Sequence, residues 1–322
     1  MTTVAEILRL RQSTGFSIEV LPPLKGKSIA RLYSDLDMLV KYHPLFVNIT
    51  THHSEPVYQP AEKGTLRKVF VRKRPGTVAV ASAIHNRYHI PTVPHIICRG
   101  FSPEETEYVL IDLNFLGIRD LFLLRGDTDK DTLVPVSESH QHATDLICQV
   151  NDFNRGISID GQQAEPPVEH FSFGVAGYPE KHSEAPNFES DIEWLKRKVD
   201  MGAEYVITQL FYDNERFYRF LDAVRGAGID VPIVPGLKPI SKKTQLNVLP
   251  RVFNSVIPQE LAERIVDAAD EDVKTIGRDW LLGQAWDLKR QGLPCVHFYT
   301  LGAVDTVSYV VGELFASRED CQ

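Results

Sequence analysis

The chain has 322 residues, a length that fits either two ordinary domains or one barrel. Hydrophobic residues make up 43% and charged residues 24% of the chain, a composition that excludes a disordered or collagen-like protein. The net charge of −8 leaves no excess positive charge to neutralise a phosphate backbone, so a nucleic acid is not expected as a partner.

No targeting or membrane segment is expected. Charged residues interrupt every apolar run near Met1, which argues against a signal or transit peptide, and no run approaches the roughly 18 apolar residues of a membrane helix. The four cysteines are far apart and form no C-x-x-C motif: Cys98, Cys148, Cys295 and Cys321. These features predict a cytoplasmic protein with reduced thiols.

Short β-branched runs alternate with longer segments of helical periodicity. Eight runs predict strands, at 16–21, 45–50, 92–98, 120–124, 171–176, 205–209, 231–235 and 295–300. Helix starts are readable between them, as at the capping box Ser102–Glu105 with proline at the first helical position, and at Asn187, whose helix should end by Gly202.

Strands that alternate with helices of this length form right-handed βαβ units around a parallel sheet. Eight such units predict an α/β fold, a (β/α)₈ TIM barrel that forms a single domain over 1–322, with its core at about 16–315. A short N-terminal helix and two enlarged loops are expected, at 52–75 after strand two and 128–167 after strand four.

Polar side chains follow several predicted strands, at the barrel face where active sites form. Together they make a polar mouth, although any one of them could equally be a satisfied interior residue. The candidates are Glu19, Thr50, Thr51, His52, His53, His95, Arg125, Gly126, Asp127, Tyr178, Glu180, His182, Gln209 and Tyr299.

Three charged patterns resemble ligand motifs but depart from them. The segment 21–28 ends in Gly-Lys-Ser like a phosphate loop, yet Leu21 replaces the first glycine and two prolines remove amide donors. The basic cluster at 63–74 alternates with apolar residues, which favours a solvated edge strand over an anion site. Asp127, Asp129 and Asp131 have calcium-loop spacing, but Thr132 occupies the glycine position.

Several of these segments, taken in order, resemble the methylenetetrahydrofolate reductases. The resemblance runs from about residue 16 to 315. The segments include Ser17-Ile-Glu-Val-Leu-Pro-Pro23, Pro94-His-Ile-Ile-Cys98, Gly117-Ile-Arg-Asp-Leu-Phe-Leu-Leu-Arg-Gly-Asp127, Ala176-Gly-Tyr-Pro-Glu-Lys-His182, Leu195-Lys-Arg-Lys198, Ile207-Thr-Gln-Leu-Phe-Tyr-Asp213, Pro235-Gly-Leu-Lys-Pro-Ile-Ser241 and His297-Phe-Tyr-Thr-Leu301.

The resemblance implies a flavoenzyme of one-carbon metabolism that feeds methionine biosynthesis. NADH or NADPH would reduce FAD, and the reduced flavin would pass a hydride to 5,10-methylenetetrahydrofolate in a ping-pong reaction. A homo-oligomer is implied as well. Glu19 matches the family's general acid, and Asp127 matches an aspartate beside the flavin, where a negative charge lowers the flavin potential.

The resemblance also assigns binding residues. For FAD they are Thr50, Thr51, His53, His95, Arg125, Gly126, Asp127, Ala143, Tyr178, His182, Ala185, Asp191, Trp194 and Lys198. For the folate and nicotinamide substrates they are Glu19, Thr50, Asp127, Gln209, Gln245 and Tyr299.

Some features leave alternatives open. Lys198 is also compatible with a solvated helix face beside Lys196 and Arg197, His52 and His53 replace small residues of many relatives, and Ala303 replaces an arginine of several bacterial ones. The histidines together with Glu19 and Asp127 could instead serve a two-metal hydrolase, although the resemblance implies no metal. A third interpretation is a barrel that is retained only for binding and has no catalytic activity.

Overall fold

A computed structural model of the protein describes residues 2–126 and 132–316. The strands are β1 Gly15–Val20, β2 Val47–Ile49, β3 Glu55–Pro60, β4 Leu66–Val71, β5 Thr92–Ile97, β6 Asp120–Leu124, β7 Ser172–Gly177, β8 Tyr205–Thr208, β9 Ile233–Val234, β10 Gly236–Leu237 and β11 Cys295–Tyr299. The helices are α1 Val4–Leu10, α2 Ala30–Val40, α3 Thr77–Tyr88, α4 Pro103–Phe115, α5 Ala143–Asn154, α6 Phe188–Asp200, α7 Asn214–Gly226, α8 Gln245–Phe253, α9 Gln259–Asp267, α10 Val273–Arg290 and α11 Val304–Phe315.

Nine strands form one sheet in the order β10-β11-β1-β2-β5-β6-β7-β8-β9. Only Pro235 separates β9 from β10, so the sheet starts and ends in two halves of one interrupted strand. Proline has no N–H for a strand ladder, but its carbonyl accepts a hydrogen bond from His297 N at 2.8 Å. The eight predicted strands and the (β/α)₈ barrel fold are therefore confirmed.

By sequence range the chain divides into two compact units. The first comprises Met1–Val20, Tyr33–Val47 and Gly174–Gln322, and the second comprises Leu21–Leu32 and Asn48–Phe173. The single domain expected from the sequence stays a prediction.

In the first unit, β1 and β10 both pair with β11. The register places Glu19 opposite Tyr299 and Leu237 opposite Phe298, so Lys238 follows at the level of Tyr299. Side chains in register on neighbouring parallel strands point to the same side of the sheet. Glu19, Tyr299 and Lys238 are thus aligned in one row across three strands.

In the second unit, part of the enlarged segment after strand two is a hairpin. Strands β3 and β4 pair antiparallel through a 3₁₀ turn at Glu62–Gly64, and Lys73 Nζ bonds Glu55 Oε2 at 2.5 Å near its base. Arg67 and Lys68 are exposed on β4, as a solvated strand requires. The other enlarged loop, expected at 128–167, follows β6. Its described part contains helix α5 and a loop that is closed by a backbone bridge between Ile157 and Gln163.

The predicted helix starts are confirmed. Ser102 Oγ accepts from the amide of Glu105 at 3.1 Å while Glu105 Oε2 accepts from the Ser102 amide at 3.0 Å, which completes the capping box. Asn187 Oδ1 accepts from the Ser190 amide at 2.8 Å. None of the helices in the described part of the chain is long and apolar enough to cross a membrane.

Two glycines of α10 provide a test of the packing in the first unit. A Cβ on Gly277 would lie 1.8 Å from the carbonyl oxygen of Ile240, whereas a Cβ on Gly283 would meet nothing within 4 Å. We expect Gly277→Ala to lower the free energy of unfolding by more than about 3 kcal/mol, because backbone must move. Gly283→Ala should raise it by about 0.5–1 kcal/mol through helix propensity. Chemical denaturation checks both, and equal effects would contradict the close approach.

Candidate active site

The most strongly perturbed carboxylic acid among the described candidate residues is Glu19, near the end of β1. Its side chain is 7% exposed, and burial raises the pKa of the carboxyl to about 8, with Lys238 opposing the shift. Its backbone carbonyl is held by Thr300, whose Oγ1 donates to it at 2.6 Å. A carboxyl in this environment is protonated at neutral pH and can act as a general acid.

Lys238 is the cation that acts on Glu19. It is 8% exposed, and its Nζ donates to the carbonyl of Leu301 at 3.1 Å. Burial lowers the pKa of the ammonium group, while Glu19 raises it. The lysine therefore supplies a positive charge that stabilises Glu19 after proton loss without cancelling the cost of burial.

Tyr299 lies between these two residues in the row. Its hydroxyl donates to the carbonyl of Thr208 at 2.7 Å, and burial, with Glu19, raises the pKa of the phenol. Gly236 allows this placement, because a Cβ there would lie 2.7 Å from the tyrosine ring. The ring is fixed by main-chain contacts rather than by solvent.

The loop after β7 and helix α6 bring four of the residues assigned to FAD together. The rings of Tyr178 and His182 meet edge to face with centroids 4.7 Å apart, and Asp191 Oδ2 accepts from the His182 amide at 2.9 Å. Lys198 Nζ donates to the carbonyl of Ala176 at 2.9 Å, and burial lowers its pKa to about 8, with Asp191 opposing. Lys198 thus points to the end of β7 rather than to a solvated face.

Two other residues of this region have mainly local contacts. Ala185 N donates to His182 O at 3.1 Å, and its own carbonyl accepts from Lys181 Nζ at 2.6 Å. Trp194 is 46% exposed and lies under the guanidinium of Arg197, whose Cζ is 4.7 Å from the ring centroid.

The two glutamines of the candidate set differ in their surroundings. Gln209 directly follows β8, and its Oε1 accepts from the Leu210 amide at 2.9 Å, which leaves the amide NH₂ group for a ligand. Gln245 Oε1 accepts from the amides of Ser241 and Lys242 at 2.6 and 3.0 Å. Its carbonyl end therefore closes the turn before α8, and only its NH₂ end can serve a substrate.

In the second unit, a histidine and two threonines meet beside β2. His95 is 4% exposed, and Asn48 Nδ2 lies 3.0 Å from its Nε2. Burial and His52 lower the pKa of His95 to about 3, so the ring is neutral, and with Nε2 accepting from the amide its hydrogen is on Nδ1. Thr51 Oγ1 donates to the carbonyl of His95, and Thr50 Oγ1 lies 3.1 Å from His52 Nε2.

The remaining candidates of this unit flank the same strand ends. His53 Nδ1 lies 2.9 Å from the carbonyl of Ser54, and Ala143 is the first residue of α5. Arg125 O accepts from the Arg99 amide at 3.0 Å just after β6. Gly126 has φ +85°, a conformation that favours glycine. Asp127 lies outside the described residues.

Within 2–126 and 132–316, no group of three or more histidine, cysteine or acidic side chains is arranged to hold a metal ion. His52 and His53 are adjacent, but their hydrogen-bonding contacts diverge, that of His52 toward Thr50 and that of His53 toward Ser54. The described arrangement is one of buried proton-transfer and hydrogen-bonding groups.

The sequence matches a known family over most of its length. The family model described as Methylenetetrahydrofolate reductase matches residues 3–314. The chain belongs to the methylenetetrahydrofolate reductase family.

Individual members are similar over most of the chain. The 5,10-methylenetetrahydrofolate reductase of Escherichia coli (strain K12) is 31% identical over 298 residues, 92% of this chain and 88% of that protein. Methylenetetrahydrofolate reductase 1 of Schizosaccharomyces pombe is 28% identical over 308 residues. That match covers 94% of this chain but only 46% of the yeast protein, so this chain spans about half of its length.

Among solved structures, an uncharacterized protein from Clostridium thermocellum that binds two copies of 5-methyl-5,6,7,8-tetrahydrofolic acid has a similar fold. Its TM-score is 0.57 at 14% identity, over 96% of this chain and 97% of the other. At this identity the similarity shows that the two chains share the barrel fold.

The sequence did not identify Lys238 or Thr300 as residues of the candidate site. Both belong to segments that resemble the family, Lys238 directly after Pro235-Gly-Leu237 and Thr300 after the last strand. A lysine that follows a buried strand at the carboxyl end of a barrel is a signal that could have identified Lys238.

The raised pKa of Glu19 predicts a pH-dependent difference in stability. Above the ordinary value of 4.5 the unfolded chain releases this proton, while the folded protein keeps it up to about pH 8. Wild-type stability should therefore fall relative to Glu19→Gln between these values and then level off. We expect a relative gain for Glu19→Gln on the order of 5 kcal/mol at pH 9 compared with pH 4.

Denaturant unfolding at several pH values measures this difference. The exposed Glu193 on α6 provides a matched control, since Glu193→Gln removes the same charge from solvent. A flat difference for Glu19→Gln across the range would contradict the burial of its carboxyl group.

Proposed function

We propose that the protein reduces 5,10-methylenetetrahydrofolate to 5-methyltetrahydrofolate with NADH or NADPH through bound FAD. The observation that carries the proposal is the buried carboxyl group of Glu19, whose pKa of about 8 keeps it protonated at neutral pH. Reduction of a methylene bridge between two nitrogens requires opening of the ring, and opening requires a proton at the leaving nitrogen. Glu19 can supply that proton.

Lys238 would act after the proton has left Glu19. The carboxylate formed at a 7% exposed site would be costly in isolation, and the ammonium group favours it. Tyr299, level with both, fixes the wall of the site through Thr208. Lys238, Tyr299 and Thr208 would hold Glu19 in one orientation and keep water away from it.

The donor set of the described residues fits a flavin dinucleotide. Lys198 and Arg125 would offer positive charge to the phosphate oxygens, and Thr50 would offer a hydroxyl group. Gly126, which has no side chain, would let the backbone approach the flavin ring. When bound, FAD would supply the hydride chemistry between the nicotinamide and the folate. Asp127 completes this proposed set.

Gln209 and neutral His95 would orient the reacting rings. The free NH₂ group of Gln209 can donate to a pterin carbonyl or ring nitrogen. His95 cannot carry a charge near neutral pH, because burial depresses its pKa to about 3. It would therefore serve as a hydrogen-bonding group and not as a second acid. A homo-oligomer in the cytoplasm completes the proposal.

The presence of flavin is directly measurable. We expect the purified protein to show visible flavin absorbance that bleaches anaerobically with NADH or NADPH and returns on addition of 5,10-methylenetetrahydrofolate. Parallel titrations with the two nucleotides give the preferred donor. A colourless preparation with full activity would overturn the flavin proposal.

The role of Glu19 predicts a split between the two halves of the reaction. Glu19→Gln should lower folate reduction by about 10²- to 10⁴-fold, because the amide cannot donate the proton. Oxidation of NAD(P)H by an artificial electron acceptor should change little, since it needs no proton from Glu19. Glu193→Gln serves as the control with both activities retained. Equal loss of both activities in Glu19→Gln would refute the acid role.

A further inference from the structure

One candidate residue, Glu180, makes a long-range contact that the proposed chemistry does not use. It lies in the loop between β7 and α6, between Tyr178 and His182, and its side chain is 7% exposed. Its Oε2 accepts a hydrogen bond from the amide of Val256 at 2.5 Å, in the segment between α8 and α9. Glu180 therefore joins a loop with residues assigned to FAD to a distant segment of the first unit.

A second contact joins the same two segments. Asn254 Nδ2 donates to the carbonyl of Lys181 at 3.1 Å. Both residues have a positive φ, +90° at Lys181 and +55° at Asn254, and asparagine tolerates this region much better than lysine does. Backbone in such a conformation persists only where surrounding contacts hold it. The bonds from Glu180 and Asn254 thus hold the loop in a conformation that Lys181 disfavours.

The carboxyl group of Glu180 faces other groups of the first unit. Burial raises its pKa to about 7, while the Val256 amide and Arg216 lower the pKa and Asp213 raises it. Arg216 Nε lies 3.9 Å from Oε1, and Glu180 in turn raises the pKa of the buried phenol of Tyr212. Near neutral pH the carboxyl group is therefore only partly ionised, so a neutral amide of the same shape can replace it as an acceptor.

The loop that Glu180 anchors reaches the row formed by Glu19, Tyr299 and Lys238. After burial and Glu19, Tyr178 is the third cause that raises the pKa of the Tyr299 phenol. The loop tyrosine is therefore within electrostatic reach of this row. A displaced loop would move a residue assigned to FAD and, at the same time, a neighbour of the proposed acid.

We propose that Glu180 is a positioning residue that holds the loop after β7 against the 254–256 segment. Tyr178 and His182 are thereby kept in place for FAD. The inference rests on the proposed function for its ligand, whereas the contact itself involves only residues of this chain. The 254–256 segment directly follows α8, which begins at Gln245, so the contact also connects the FAD loop to a helix assigned to the folate.

Hydrogen exchange and flavin release of the holoprotein test the proposal. Exchange measured by mass spectrometry reports opening of the loop, because three of its amides are hydrogen-bonded, those of Lys181, His182 and Ala185. Flavin fluorescence after dilution gives the rate of FAD release. Glu180→Ala should accelerate both about tenfold, as the loss of one hydrogen bond to a carboxyl group predicts. Glu180→Gln keeps an acceptor oxygen and should stay within about threefold of wild type.

Asn254→Gly removes the second contact and keeps a residue that suits φ +55°, so it should accelerate both processes about threefold to tenfold. Glu193→Ala is the matched control, because it removes an exposed carboxylate of α6 and should change neither rate. Wild-type rates in Glu180→Ala, or equal acceleration in Glu180→Ala and Glu180→Gln, would overturn the proposal.

The remaining outcomes also decide. If Glu180→Ala did not fold, wild-type rates in Asn254→Gly would overturn the proposal. If the wild-type protein bound no flavin, the proposed function would fail, and exchange of the loop amides would still show whether Glu180 holds the loop.

Discussion

The candidate chemistry depends on the burial of one carboxyl group. Glu19 is the penultimate residue of a strand whose residues are all buried, so its side chain enters a site where ionisation is costly. Three contacts fix it in place: the pairing of β1 with β11, the bond from Thr300 to its carbonyl, and the charge of Lys238. The strand register therefore determines where an acid with a pKa of about 8 is presented.

Lys238 does not restore the pKa of Glu19 to its ordinary value, because the charge of the lysine is also buried. Burial depresses the pKa of the lysine just as it raises that of Glu19, and each group partly reverses the shift of the other. If the pair were fully exposed, the carboxyl would be ionised at neutral pH and could donate nothing. The buried ammonium group of Lys238 is too weak an influence to ionise Glu19 at neutral pH, so Glu19 keeps a proton that it can donate. The same positive charge then stabilises the carboxylate that remains.

The sequence predicted the strands well because a parallel barrel strand is a short, continuous apolar run, as in Leu121–Leu123 of β6. The edge strand expected from the basic cluster corresponds to β4, but its partner β3 was not predicted, since Pro56 and Pro60 disfavour a strand and the second half of β3 is exposed. The sequence also did not predict that the strand expected at 231–235 is interrupted at Pro235 and continues as β10, because the pairing of Gly236 and Leu237 depends on β11.

Site residues could be located by their position after strands, but not by their contacts. Gln245 illustrates the limit: its Oε1 is used by the amides of Ser241 and Lys242, a local turn contact that spacing alone does not reveal. The Gly-Lys-Ser segment and the basic cluster illustrate a second limit. Each of them departs from its motif when it is considered alone. Long-range contacts such as that between Arg74 and Pro22 bring them to one cavity, where charge that would be unremarkable in either segment becomes concentrated. A local excess of cations can thus coexist with a net charge of −8. The attraction of a charged ligand depends on the charges within a Debye length, about 10 Å, and not on the net charge of the chain.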